Sequence, residues 1–91
     1  MQDEFRRLAD QYTKPLDEVF HGWVVMLNNR LWVSSSGQIF HPTRELAVKR
    51  FYNEFHWKVR RMVWNMYGNT QEYRKAWFDF KRINNFEVKY I

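Results

Sequence analysis

The chain has 91 residues, with 15 Lys or Arg against 10 Asp or Glu, a net charge of +5 and a pI near 9.7. A chain of this length makes one domain, 1–91, that buries about 60–65% of its unfolded surface. It has no cysteine, which excludes disulfides, thiolate metal sites and cysteine nucleophiles, and suits a reducing cytoplasm.

The longest apolar run, "WVVML", is far too short to span a membrane, and "MQDEFRRLAD" lacks the apolar centre of a signal peptide. The expectation is a soluble cytoplasmic protein with no membrane partner. Aromatic residues make up 20% of the chain, five of them Trp. Basic residues mixed with rings favour nucleic acid, because charge attracts phosphates and rings stack on bases. Large rings also fill the core of a small domain, so their positions must decide.

Phe5, Leu8, Ala9 and Tyr12 recur at helical spacing and predict a first helix. Pro15 interrupts it, and "PLDEVF" predicts a short second helical turn ended by Gly22. "WVVML" and "RLWVS" are rich in branched and aromatic residues and predict a hairpin through Asn28-Asn29. "SSSG" is a second turn, after which "QIF" adds a short strand or runs on as an arm.

The main helix is predicted over 44–67, with Thr43 as N-cap and Gly68 as its stop. Its apolar face is Val48, Phe51, Tyr52, Phe55, Val59, Met62, Val63 and Met66, expected against the sheet. A further helix over 70–83, capped by Asn69 or Thr70 with Glu72 reaching back, carries the stripe Tyr73, Ala76, Trp77, Phe80 and Ile83. Asn84-Asn85 then turns into "FEVKYI", a half-buried strand with Phe86, Val88 and Tyr90 on one side. This order predicts an α+β fold: a small antiparallel sheet, hairpin plus C-terminal strand, packed against a long amphipathic helix and shorter helices.

Charge is unevenly spread. Residues 44–63 hold six basic and two acidic residues, a net of +4; 70–83 has a net of +2; the first twenty residues have a net of −2. A C-terminal half this basic points to a polyanion. Opposite its core face, the main helix carries Lys49, Arg50, Asn53, His56, Trp57, Arg60, Arg61 and Trp64, with Leu46 in line with the tryptophans. Three partners suit Leu46, Trp57 and Trp64: another helix of the same chain, a second copy around a two-fold axis, or stacked unpaired bases. Lys49, Arg50, Lys58, Arg60 and Arg61 are the candidate phosphate contacts, with His56 joining when protonated. Arg74, Lys75, Lys81 and Arg82 widen the patch, and Phe78 sits off its helix stripe beside the last two. Trp32 lies on the opposite strand face from Leu31 and Val33, either as an outer stacking platform or covered by the N-terminal helix.

Catalytic patterns are sparse. His21, His41 and His56 are scattered; Asp17 and His21, four apart, would suit a metal only with further ligands. A ribonuclease needs a His–His or His–Glu pair, and no spacing supports His56 with Glu54 or His41. "SSSG" lacks the lysine and spacing of a phosphate loop. The expectation is a non-enzymatic protein with no metal or cofactor.

The block "WVVMLNNRLWVSSSGQIFHPTRELAVKRF", a hairpin leading into a basic helix, resembles small accessory proteins of T-even-type tailed phages. In size and in its basic, aromatic-rich character the chain is similar to phage RNA-binding inhibitors of type III toxin–antitoxin systems. The resemblance covers about a third of the chain and implies a homodimer that binds single-stranded or structured RNA. It also implies counter-defence against a host toxin–antitoxin complex, in the cytoplasm of an infected bacterium. It assigns no residue. The alternative is a protein–protein inhibitor that masks a host defence protein with the Trp/Arg face.

Overall fold

The computed structural model describes residues 2–16, 21–67 and 73–91. Helix α1 (Gln2–Gln11) leads into strand β1 (Thr13–Pro15). The hairpin β2 (Trp23–Leu27) and β3 (Arg30–Trp32) follows, then α2 (Arg44–Tyr67), α3 (Tyr73–Ile83) and β4 (Glu87–Tyr90). The sheet is antiparallel throughout, in the order β1-β3-β2-β4. No helix among the described residues is long and apolar enough to cross a membrane.

The expected hairpin forms because Asn28 and Asn29 both accept left-handed φ, at 55° and 63°, as a two-residue type I′ turn requires. The end of α3 follows similar logic. Asn85 takes φ 51°, Phe86 N–H donates to Lys81 C=O at 2.9 Å and Asn85 N–H to Arg82 C=O at 3.3 Å. That is a Schellman stop with asparagine in the usual glycine place. Thr43 caps α2 as expected, its Oγ1 accepting from Leu46 N–H at 3.1 Å. Gly68, Asn69, Thr70 and Glu72 lie outside the described residues.

One expectation is corrected and two open alternatives are decided. Pro15 does not open a helical turn; it closes β1, opposite Arg30 of β3. Proline is tolerated there because β1 is an edge strand, where a missing N–H costs no ladder bond. The rest of the expected "PLDEVF" turn, from Asp17 on, lies outside the described residues. "QIF" forms no strand: only His41 bridges, to Trp23, while Ile39 and Phe40 pack on the second face of the sheet. Trp32 is no outer platform. It is 1% exposed on the helix-covered face, its ring edge against Phe51.

The sheet is thus covered on both sides. Val25, Leu27 and Trp32 face the main core with Phe5, Phe51, Phe55, Val59, Trp77 and Phe80. Val24, Met26 and Leu31 face a smaller cluster closed by Ile39, Phe40 and Ile91. At the end of β4, Tyr90 is 60% exposed, against the expected alternation, and meets Trp23 edge-on.

On α2 the buried line is Ala47, Phe51, Phe55, Val59 and Val63, one residue in every four. Val48 and Met62 are half-buried, and Tyr52 and Met66 are exposed, contrary to the expected apolar face. Tyr52, level with buried Phe51, lies on the helix flank edge-on to Trp77. For Met66 the reason is length. A 24-residue helix spans about 36 Å, whereas strands of three to five residues span about 10–17 Å. The helix outruns the sheet in a molecule 42 Å long and 22 Å across.

Asn84 joins the layers. Its side chain is fully buried, donating to the carbonyls of Phe80 (3.0 Å) and Phe5 (3.3 Å) and accepting from Asn28 Nδ2 (2.7 Å). α1, α3 and the hairpin turn therefore meet at one amide. Asn84→Ala is expected to cost about 2–3 kcal/mol, because it leaves buried partners unsatisfied. Urea unfolding should show the midpoint falling at unchanged m-value.

Candidate nucleic-acid interface

With the buried line of α2 turned inward, the opposite side is left in solvent. Trp57 and Trp64 are 54% and 53% exposed, and neither α1 nor α3 covers them. Burial of these rings by another helix of the described chain is thereby ruled out. Seven residues apart, they stand on one side of α2 and bound a groove of about 270 Å³ with Arg60 and Arg61. Among the described residues no carboxylate lines it, and neither arginine forms an ion pair with one of them.

Arg60 is half-buried because it lies between two rings. Its guanidinium carbon is 5.2 Å from the centre of Trp57 and 5.3 Å from that of Tyr73, at the start of α3. A cation over an exposed ring is worth about 0.5–1 kcal/mol, so this placement is favoured yet easily exchanged. The same contact brings the first turn of α3, with exposed Arg74 and Lys75, alongside the groove. Tyr73 read as a core residue from its helix stripe. Its second role depends on how α3 docks, which has no local sequence signal.

The other predicted contacts divide. Lys49 and Arg50 are exposed farther up α2, and the Arg50 guanidinium donates to Gln38 Oε1 of the loop before it. His56 is a rung in a ring ladder. It stacks on Tyr52 at 4.4 Å, leans on Trp57 at 4.7 Å, and its Nδ1 meets the Tyr52 carbonyl. Leu46 is half-buried near the start of the helix.

Lys58 leaves the Trp face altogether, its ammonium lying 4.6 Å over the ring of Tyr12. There it borders a second groove, about 420 Å³, with Leu8, Met62 and Met66 between α1 and α2. Arg61 borders both grooves. At the β4 end of α3, Lys81 lies over Phe78 (4.9 Å) and Phe86 (5.5 Å), and Arg82 pairs with Asp79 at 3.5 Å. Phe78 is 66% exposed, more than a rim contact of the core would be. The structure therefore gathers Trp57, Arg60, Arg61 and Trp64, sets Arg74 and Lys75 beside them, and disperses the rest.

Among the described residues, no histidine is hydrogen-bonded or ion-paired to a carboxylate. Glu54 accepts from the N–H (3.0 Å) and hydroxyl (3.3 Å) of Ser35, pinning the "SSSG" turn to α2. Gly37 takes φ 84° in that turn, which suits its role as a plain reversal. Among the described residues, no group of three or more His, Asp or Glu gathers as metal ligands. Asp17, half of the Asp17–His21 pair, lies outside them.

His41 is 2% exposed, stacked on Trp32 at 5.9 Å, and neither ring nitrogen has a hydrogen-bond partner. Burial, and secondarily the nearby Arg50 charge, holds its pKa below the usual imidazole value, opposed by Glu54. A histidine with a lowered folded pKa is stabilising when neutral. Stability should therefore be full above about pH 6.5 and decline as pH falls below it. His41→Phe should flatten this acid-side loss, as read by unfolding midpoints between pH 5 and 8.

Comparison with protein-family models, with curated proteins and with solved structures gives no match.

Proposed function

We propose that this protein binds RNA through the α2–α3 face centred on Trp57, Arg60, Arg61 and Trp64, and does so without catalysing a reaction. The observation that carries this reading is the groove itself: two half-exposed tryptophans bounding two arginines, with no acid among the described residues that line it. Guanidinium groups match phosphate geometry, and every base offers a face to an aromatic ring. Arg74 and Lys75, exposed in the first turn of α3 beside Tyr73, add positive charge near it. A binding role is favoured over chemistry because His41 and His56 are both engaged in ring packing.

The test is purification without nuclease, followed by the ratio of absorbance at 260 and 280 nm and sequencing of the co-purifying nucleic acid. A clean protein spectrum, or binding without steep salt dependence, overturns the reading. On the phage resemblance, the RNA would be the partner of an endoribonuclease toxin, met in the cytoplasm of an infected cell. A homodimer is compatible with this if it closes over the Leu8–Met62–Met66 groove, which leaves the Trp face free. Light scattering reports that state.

The competing reading, a mask for a host protein, draws on the same residues, since exposed Trp and Arg are the usual anchors of protein interfaces. A partner captured equally from nuclease-treated and untreated lysate would favour it.

A further inference from the structure

We infer that the Trp57–Trp64 groove is a slot for two consecutive unpaired bases, so that the ligand is single-stranded at this site; this rests on the RNA-binding reading above. Three observations converge. The first is span. Seven residues of helix rise separate the tryptophans by about 10.5 Å. Two bases stacked between two rings need three gaps of about 3.4 Å, or about 10 Å in all. A duplex presents its bases edge-on and already stacked, so it cannot fill such a gap.

The second observation is a ring that already takes a flat partner. The Arg60 guanidinium lies over the ring of Trp57 at 5.2 Å and over that of Tyr73 at 5.3 Å. In the free protein a flat cation therefore occupies one face of Trp57. A base is also flat, and stacking on tryptophan is the stronger contact. A base entering the slot would displace the guanidinium, which a short swing carries to the phosphate beside that base. Arg60 is thus a placeholder that becomes a phosphate contact.

The third is charge. Arg60 and Arg61 border the gap, and among the described residues no carboxylate lines it to repel a phosphate backbone. An apolar peptide would leave both guanidiniums without partners, whereas a nucleotide strand supplies a ring for each tryptophan and a phosphate for each arginine.

The experiment uses the full chain and four probes: three single strands of matched charge (a ten-nucleotide oligoadenylate RNA, the same strand with two central abasic sites, and the same backbone abasic throughout) and an RNA duplex. Binding is read by anisotropy, and insertion by quenching of tryptophan fluorescence. Oligoadenylate should bind at least about 10-fold tighter than the fully abasic strand or the duplex and should quench fluorescence. Trp57→Ala and Trp64→Ala should each weaken oligoadenylate binding about 10-fold while leaving the abasic strand unaffected. Trp57→Phe should recover part of the loss. Both tryptophans are half-exposed, so the variants should keep the wild-type circular dichroism spectrum.

If all four probes bind alike and neither alanine variant changes affinity, while charge reversal at Arg60 and Arg61 still abolishes binding, the slot is wrong and the RNA reading stands. If no probe binds, both fall. A strand whose two central abasic sites cost nothing while the fully abasic strand binds weakly would place the stacking elsewhere and also overturn the slot.

Discussion

Replacing Arg60 and Arg61 together by glutamate is expected to weaken RNA binding by on the order of 100-fold or more. Each guanidinium–phosphate hydrogen bond contributes about 1.5–3 kcal/mol, so losing two removes at least ~3 kcal/mol before repulsion by the new carboxylates. The plot of log affinity against log salt should also flatten, by about 0.7 for each phosphate of a single strand that is no longer neutralised. The fold should survive: Arg61 is exposed, and Arg60 contributes only its contacts with two rings. An unchanged circular dichroism spectrum and melting temperature would establish that binding alone was impaired. Lys58→Glu is the internal comparison. Its ammonium lies over Tyr12 on the other side of α2, so its effect on RNA affinity should be much the smaller. An equal loss from Lys58→Glu would mean that net charge, and not the groove, attracts the ligand.

Phe55→Ala should have the largest effect on stability, about 3–5 kcal/mol. The ring is 0% exposed, stacked on Phe51 at 5.1 Å, tilted against Phe80 at 5.1 Å and edge-on to Tyr12 at 5.6 Å. It links α2 both to α3 and to the segment joining α1 and β1. A domain of this size holds only about 5–14 kcal/mol of stability, so the substitution removes a large share of it. The melting temperature should fall by about 12–40 °C, at roughly 4–8 °C per kcal/mol. Phe78→Ala, which removes an equally large ring that is 66% exposed, should change stability by no more than about 0.5 kcal/mol. Were the two variants equally stable, the core would not be centred where Phe55 sits.

Much of the architecture is legible in local sequence because its signals act over a few residues. Asn28-Asn29 turns the hairpin since asparagine accepts left-handed φ, and Asn85 ends α3 for the same reason. Thr43 starts α2 through a hydroxyl three residues from the amide it caps. The alternation of the α2 faces is enough to put Trp57 and Trp64 opposite the core. Their surroundings are another matter. Whether a ring on a non-core face is covered depends on where α1 and α3 land, and those helices are placed by contacts far apart in sequence. Asn84 with Phe5 and Phe55 with Phe80 are two of them.

The misread positions have the same cause. Met66 fits an apolar stripe but is exposed, because α2 is longer than the sheet and helices it packs on. Tyr52 fits it too, but lies round the helix from buried Phe51, on the flank where Trp77 meets it edge-on. Pro15 reads as a helix start, yet β3 offers an open edge that takes it as a strand. Trp32 reads as outward-facing until pairing sets its register: Met26 opposite Leu31 turns Leu31 to the second face and Trp32 toward Phe51. A shift of one residue would have reversed both.

By itself, then, the sequence determines the types of α1, β2, β3, α2, α3 and β4, the Thr43 cap, the Asn28-Asn29 and Asn84-Asn85 turns, and the separation of an apolar helix face from a basic, tryptophan-bearing one. These follow from dihedral preference and helical period, which each residue carries with it. The tertiary structure alone decides that the basic face stays open, that Arg60 lies between Trp57 and Tyr73, and that Lys58 turns away toward Tyr12. Those outcomes depend on which surfaces cover one another when the helices dock, and that is a property of the packed chain as a whole.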